Sequence, residues 1–184
     1  SMLTRTMIEH FWDNEKGGLF FSPDDASDLP LREKAFRDGA IPSGNSAAML
    51  DLLRLSHLTG QPEWENKAWQ LAGASGASTA GQTLGYTMLL SSLDYGLGPA
   101  LQIALAGEKE DEDTIEMLKA IRERFLPSKS VLLSWGEDTA EMAEFARGLA
   151  KIEGKSAAYI CSGKSCRPPV TSPKELMLML GEEN

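Results

Sequence analysis

The sequence predicts a mostly α-helical first half followed by a small α/β unit on a three-stranded parallel sheet. Two observations carry that prediction. Up to about residue 98, apolar side chains recur mainly at helical spacing, broken by one extended stretch. Gly96-Leu97-Gly98-Pro99 then stops the pattern, and short apolar runs alternate with helical segments in the order βαβαβα. Such an order implies parallel strands joined by right-handed crossovers. The expected domains are therefore residues 1–98 and 99–184.

Met7, Ile8, Phe11 and Trp12 share one helical stripe, predicting a helix over about 3–12. Asp13-Asn14-Glu15-Lys16-Gly17-Gly18 is turn chemistry, and Leu19-Phe20-Phe21 reads as a short strand after it. Residues 22–42, with Pro23, Pro30, Pro42 and many acids, form a long irregular connection, a length that in compact domains often carries function. Ala48, Leu52, Leu55 and Leu58 then define a helix from Gly44 to Thr59, with Ser43 or Asn45 to cap it and Gly60 to end it. Pro62 suits the first turn of a third helix carrying Trp64, Ala68, Trp69 and Leu71. Its end is expected to dissolve in the small-residue run Ala72–Ser78. A fourth helix is expected over Gln82–Tyr95, with Leu84, Met88, Leu89 and Leu93.

In the second half, Leu101–Ala106, Val131–Leu133 and Ala157–Cys161 are the expected strands. Asp113 with Glu116 reads as a capping box ahead of Ile115, Leu118, Ile121 and Phe125. Another helix is expected over 140–149. Ser172-Pro173-Lys174-Glu175 gives a cap, a first-turn proline and a boxed glutamate before Leu176–Leu180.

Composition narrows the function classes. The 184 residues carry 18 Lys plus Arg against 27 Asp plus Glu, a net charge of -9, which argues against nucleic acid or an anionic membrane as the main partner. No apolar run approaches the roughly 18 residues of a spanning helix. Ser1–Arg5 opens no signal peptide, and Ser1-Met2 reads as a cloning remnant ahead of an internal fragment. Two cysteines are too few for a disulfide scaffold, so a cytoplasmic location is the expectation.

Three constellations could carry chemistry. The loop Gly107–Asp113 follows the first strand without a GxGxxG or Walker pattern, and its five acids repel a phosphate while suiting a helix start. No nucleotide cofactor is therefore expected. Cys161 and Cys166 flank Ser162-Gly163-Lys164-Ser165 past the third strand, and three readings stand: plain thiols, a disulfide or redox pair aided by Lys164 and Arg167, or part of a metal site. A zinc site would need two more ligands, and the only histidines, His10 and His57, lie far off in sequence beside apolar helix residues. Finally, Asp38-Gly39-Ala40-Ile41-Pro42-Ser43-Gly44-Asn45-Ser46 sets a carboxylate, two hydroxyls and an amide at the mouth of an apolar helix. With Arg37 and upstream aromatics, Asp38, Ser43, Asn45 and Ser46 are groups that a sugar or polyol site would use; alternatively they only cap the helix and brace the turn.

Several motifs stand in a familiar order. They are Phe11-Trp12-Asp13 with Gly17–Phe21, Asp38–Ser46, Leu93-Asp94-Tyr95 with Gly98-Pro99, Arg124–Pro127, and Ala158–Cys161 with Cys166–Thr171. Across nearly the whole chain they resemble the C-terminal part of the YyaL-like, spermatogenesis-associated thioredoxin-domain family. The resemblance implies that the helical half is the last hairpins of an α/α six-hairpin toroid, similar to N-acylglucosamine 2-epimerases. It implies an epimerase/isomerase-like or glycosidase-like enzyme for the full-length protein, whose thioredoxin-like domain this chain lacks. Asp38, Ser43, Asn45 and Ser46 would line the toroid's cavity, and the cysteine pair would be a family feature of unknown purpose. No histidine here falls in a motif alignable with the epimerases' catalytic histidines, so that chemistry does not carry over. The fragment alone is expected to be inactive and to form a homodimer through the open seam of its partial ring.

Overall fold

The structure, a computed structural model, describes residues 2–26, 29–79, 81, 83–134, 143, 146–163 and 165–181, with side chains 77–79 left aside. The chain separates into two compact units, residues 1–56 with 61–97, and residues 57–60 with 98–184.

The helical unit contains α1 (Met2–Phe11), α2 (Gly44–Thr59), α3 (Pro62–Thr79), a 3-10 turn (Thr83–Gly85) and α4 (Thr87–Leu97). Its core gathers Met49, Leu52, Leu53, Trp64, Ala68, Leu71, Leu89 and Tyr95, all at most 4% exposed. Burying a leucine side chain of this kind contributes about 2 kcal/mol, so this core dominates the unit's stability. α1 differs: none of its residues is buried.

Three expectations need correction here. Leu19–Phe21 is no strand; Leu19 makes only an isolated antiparallel bridge to Trp12. Its other edge is taken by the Asn45 amide, which stands where a neighbouring strand would. α3 runs on through Ala72–Ser78 to Thr79. Ala74 serves packing there: the turn at Gly17 (φ 72°) closes on the Gln70 carbonyl and the Ala74 methyl, and a bulkier side chain at 74 would crowd that approach. The fourth helix starts at Thr87 rather than Gln82, and Leu84, expected on its apolar stripe, is 92% exposed on the 3-10 turn.

The second unit contains β1 (Leu101–Ala106), α5 (Glu112–Glu123), β2 (Lys129–Ser134), β3 (Ala157–Ser162), β4 (Ser165–Cys166) and α6 (Pro173–Gly181). Its sheet has the order β2-β1-β3-β4. β1 and β2 are parallel, as a β-α-β crossover through α5 requires. β3 lies antiparallel to β1, with Ile103 opposite Ile160, so the expected all-parallel three-stranded sheet is corrected to a four-stranded mixed one. The reason is physical: a strand apolar on both faces, like Ala157–Cys161, reads the same in either direction. β4 carries no apolar signal, being two exposed residues.

Every residue of β1 is buried. Around it pack Met117 and Ile121 from α5, Ile160 from β3, Val170, and Leu176 and Leu180 from α6. α6 begins as its sequence dictates, with the Glu175 amide donating to the Ser172 hydroxyl at 3.2 Å. The capping box at Asp113 does not form. α5 begins at Glu112, and Asp113 instead accepts from the Ser156 amide at 2.6 Å and the Ser156 hydroxyl at 2.9 Å. Ile115 and Phe125, expected on the inner stripe, are 53% and 92% exposed. Of the helix expected over 140–149, residues 140–142, 144 and 145 lie outside the described residues, and 147–149 are turn and irregular backbone.

Candidate functional site

The four polar residues singled out in the sequence meet where the long connection enters α2. Ser43 is the N-cap: its carbonyl accepts the Ala47 amide at 3.0 Å, and its hydroxyl accepts the Ser46 amide at 3.1 Å. The Ser43 and Ser46 hydroxyls lie 2.8 Å apart, and Ser43 donates to the Phe36 carbonyl at 3.1 Å. Ser46 is fully buried, and its carbonyl accepts the Ser92 hydroxyl of α4 at 3.1 Å.

Asp38 joins two helix starts. One carboxylate oxygen accepts the Ser43 amide at 2.9 Å. The other accepts the amides of Met88 at 2.8 Å and Leu89 at 3.4 Å, in the first turn of α4. α4 needs that help, because the residue before it is Tyr86, whose ring offers no local cap. Asp38 thus caps α4 from 50 residues away in sequence. Burial works to raise the Asp38 pKa, but the hydrogen bonds from Ser43, Ser46, Met88 and Leu89 outweigh it and hold it below the ordinary carboxylate value.

Asn45 is a bracket. Its amide oxygen accepts the Leu19 amide at 2.7 Å, and its amide nitrogen donates to the carbonyls of Leu19 and Ala35, each at 2.9 Å. Both amide hydrogens are therefore used within the chain. Gly18 (φ 81°) must stay a glycine here, since a Cβ would sit 2.9 Å from the Phe36 ring and 3.3 Å from the Asn45 oxygen.

Beside Gly44 and Asn45 opens a groove of about 220 Å³, lined otherwise by Met7, Phe11, Phe20 and Phe21 among others. It is the uncovered apolar face of α1 set against the aromatic segment after the turn. Phe21 is 86% exposed.

Sequence reasoning missed a second anchor in this unit. Asp13 and Lys34 form an ion pair at 2.5 Å, with side chains only 11% and 17% exposed, and Lys34 also donates to the Gly17 carbonyl at 2.9 Å. The Lys34 hydrogen bond, helped by the Lys16 and Glu15 amides, lowers the Asp13 pKa to about 2. His10 faces Asp24 at 3.0 Å, which raises the histidine pKa. His57 is half-buried near the end of α2. His10 is engaged by Asp24, outside the 38–46 segment.

In the second unit, Cys161 and Cys166 form a disulfide across directly paired positions of β3 and β4. Lys164 lies outside the described residues. Against Gly107 at the end of β1, the hydroxyls of Thr114 in α5 and Ser156 before β3, both fully buried, lie 2.7 Å apart. A Cβ at Gly107 would stand 2.3 Å and 2.4 Å from their oxygens, so only glycine fits. Among the described residues no group of three or more His, Cys, Asp or Glu could hold a metal ion, and no helix is long and apolar enough to cross a membrane.

The fold and site define a helical unit of internally braced helices joined to a small mixed-sheet α/β unit. No family model matches the chain. It is 30% identical to spermatogenesis-associated protein 20 of Homo sapiens over 182 residues, 97% of this chain and 23% of that protein. To the proteins of that name from Rattus norvegicus and Mus musculus it is 31% and 30% identical, over 92% and 97% of the chain and 22% and 23% of theirs. The chain thus spans less than a quarter of the length of these curated relatives, and the homology supports a place beside them.

Proposed function

We propose that this chain is a structural, non-catalytic segment of a spermatogenesis-associated protein 20-like protein. In this reading the helical unit closes an α/α toroid and offers its apolar groove to other parts of the full-length protein, among them a thioredoxin-like domain. One observation carries the proposal: the polar groups of Asp38, Ser43, Asn45 and Ser46 are engaged by the chain's own backbone and by one another. Groups committed in this way position helices; a ligand would have to displace those bonds at the cost of buried unpaired amides.

The exposed Met2 and Leu3 at the start of α1, with the exposed Phe21 of the groove, support self-association of the isolated chain. Light scattering should show dimers or larger species, and a clean 20.0 kDa monomer would remove the homodimer.

A second reading keeps the sugar or polyol ligand. What favours it is the groove itself, where Phe11, Phe20 and Phe21 line the wall beside Asn45. The two readings separate in a thermal-shift screen of the chain against monosaccharides and polyols. The structural reading predicts no ligand-dependent rise in melting temperature, with Asp38→Ala and Asn45→Ala melting lower whatever is added. A sugar that stabilises the wild type and not Asn45→Ala would establish the second reading instead.

A further inference from the structure

We propose that the Cys161–Cys166 disulfide is a thiol-exchange site at which an external thiolate attacks the sulfur of Cys166. The first support is topological. The bond links residues five apart in sequence that already face each other in the β3–β4 pairing. Loop closure gains stability with the length of chain enclosed, so a cross-link this short adds little to the fold compared with one joining distant segments. The chain on either side is held without it. The Arg167 amide donates to the Ile160 carbonyl at 2.9 Å, and Ala158 and Val170 exchange two backbone bonds at 2.8 and 3.1 Å. The Arg167 guanidinium further donates to the Met179 carbonyl of α6 at 3.0 Å. Opening the disulfide therefore frees the hairpin tip and leaves the sheet and α6 in place, as a pair that cycles between states requires.

The second support is an asymmetry of access. Cys161 is 6% exposed within β3, whereas Cys166 is exposed on β4, the edge strand of the sheet. A nucleophile arriving from solvent meets Cys166 first, and access decides which sulfur of a disulfide is attacked.

A thiolate such as that of glutathione bonds to the Cys166 sulfur, the Cys161–Cys166 bond breaks, and its electron pair leaves on Cys161, which takes a proton. A second glutathione thiolate attacks the glutathione sulfur of the mixed disulfide and releases Cys166, which is protonated in turn. Two glutathione molecules are oxidised to their disulfide while the protein disulfide gains two electrons and two protons.

Site assignment is direct because trypsin cuts after Lys164, between the two cysteines. The intact folded chain is incubated with reduced glutathione without denaturant, quenched in acid, alkylated and mapped by mass spectrometry. The expected adduct sits on the peptide holding Cys166, at least tenfold over the one holding Cys161, and oxidised glutathione restores the disulfide. In the fully reduced wild type, Cys166 should alkylate at least tenfold faster than Cys161, a readout independent of whether single variants fold. An adduct mainly on Cys161, or reduction no faster than global unfolding measured in parallel by hydrogen exchange, would overturn the proposal.

Discussion

Replacing Asp38 with alanine removes three accepted backbone hydrogen bonds at once, those from the Ser43, Met88 and Leu89 amides at 2.9, 2.8 and 3.4 Å. Loss of a helix N-cap acceptor costs about 1 kcal/mol. Asp38 serves the entry to α2 and the first turn of α4, so the expected loss is about 2 kcal/mol, with the 3.4 Å contact adding little. For a unit of this size that corresponds to a fall in melting temperature of roughly 10 °C. Urea denaturation followed by tryptophan fluorescence suits the measurement, because three of the four tryptophans, Trp12, Trp64 and Trp69, lie in the helical unit. Asp38→Asn keeps one acceptor oxygen but turns an NH2 toward amide donors, and should lose about as much as one cap, roughly 1 kcal/mol. The depressed Asp38 pKa adds a pH signature: its contribution is full above the unfolded value of 3.8 and fades as pH falls through the folded one. An Asp38→Ala protein as stable as wild type to within about 0.5 kcal/mol, the range of neutral surface changes, would refute the bracing argument.

Further predictions follow from the same geometry. Asn45→Asp replaces two donated bonds, to the Leu19 and Ala35 carbonyls, with carboxylate facing carbonyl, and should destabilise by about 3 kcal/mol, more than a neutral truncation elsewhere on α2; equal urea midpoints for Asn45→Asp and wild type would contradict it. Gly107→Ala drives a methyl into the Thr114 and Ser156 oxygens and should cost the second unit about 2–3 kcal/mol, seen by circular dichroism melting, whereas Gly154→Ala meets no atom within 4 Å and pays only for its φ of 79°. The His10–Asp24 pair gives a window: the raised histidine pKa makes its contribution full below 6.5 and lost as pH rises through the folded value, while the lowered Asp24 pKa makes its share full above 3.8 and lost as pH falls. Glu9, Asp25 and Arg32 also face the pair. The melting-temperature gap between wild type and His10→Gln should therefore be wide near about pH 5 and narrow by about pH 9; an unchanged gap would count against the pair.

Much of this was legible in the sequence because local rules agree with the tertiary outcome. Ser43 caps α2 and Ser172-Pro173 opens α6 as their residue types dictate, and Leu52 and Leu176 fall in the cores their spacing assigned. What was not legible depends on partners remote in sequence. Asp38 finds Met88, Asn45 finds Leu19 and Asp113 finds Ser156, and no local pattern announces any of these pairs. Strand direction is not written locally either: the residues of β3 specify burial, and a strand buried on both faces suits either direction. Asp38, Ser43, Asn45 and Ser46 stand out together in the sequence because they set a carboxylate, hydroxyls and an amide at a helix mouth. Whether such groups face a ligand or the backbone is decided by the connection folding over them, which sequence spacing does not encode. Asp13–Lys34 was readable only in part, as an aspartate in a turn.

The 38–46 segment ties the helical unit together through its own backbone, and native-state amide hydrogen exchange tests this atom by atom. The account predicts slow exchange at the Leu19, Ser43 and Met88 amides, with protection at Leu19 lost selectively in Asn45→Ala and protection at Ser43 and Met88 lost selectively in Asp38→Ala. Exchange at these three amides as fast as in an unstructured peptide, in the wild-type chain, would contradict it.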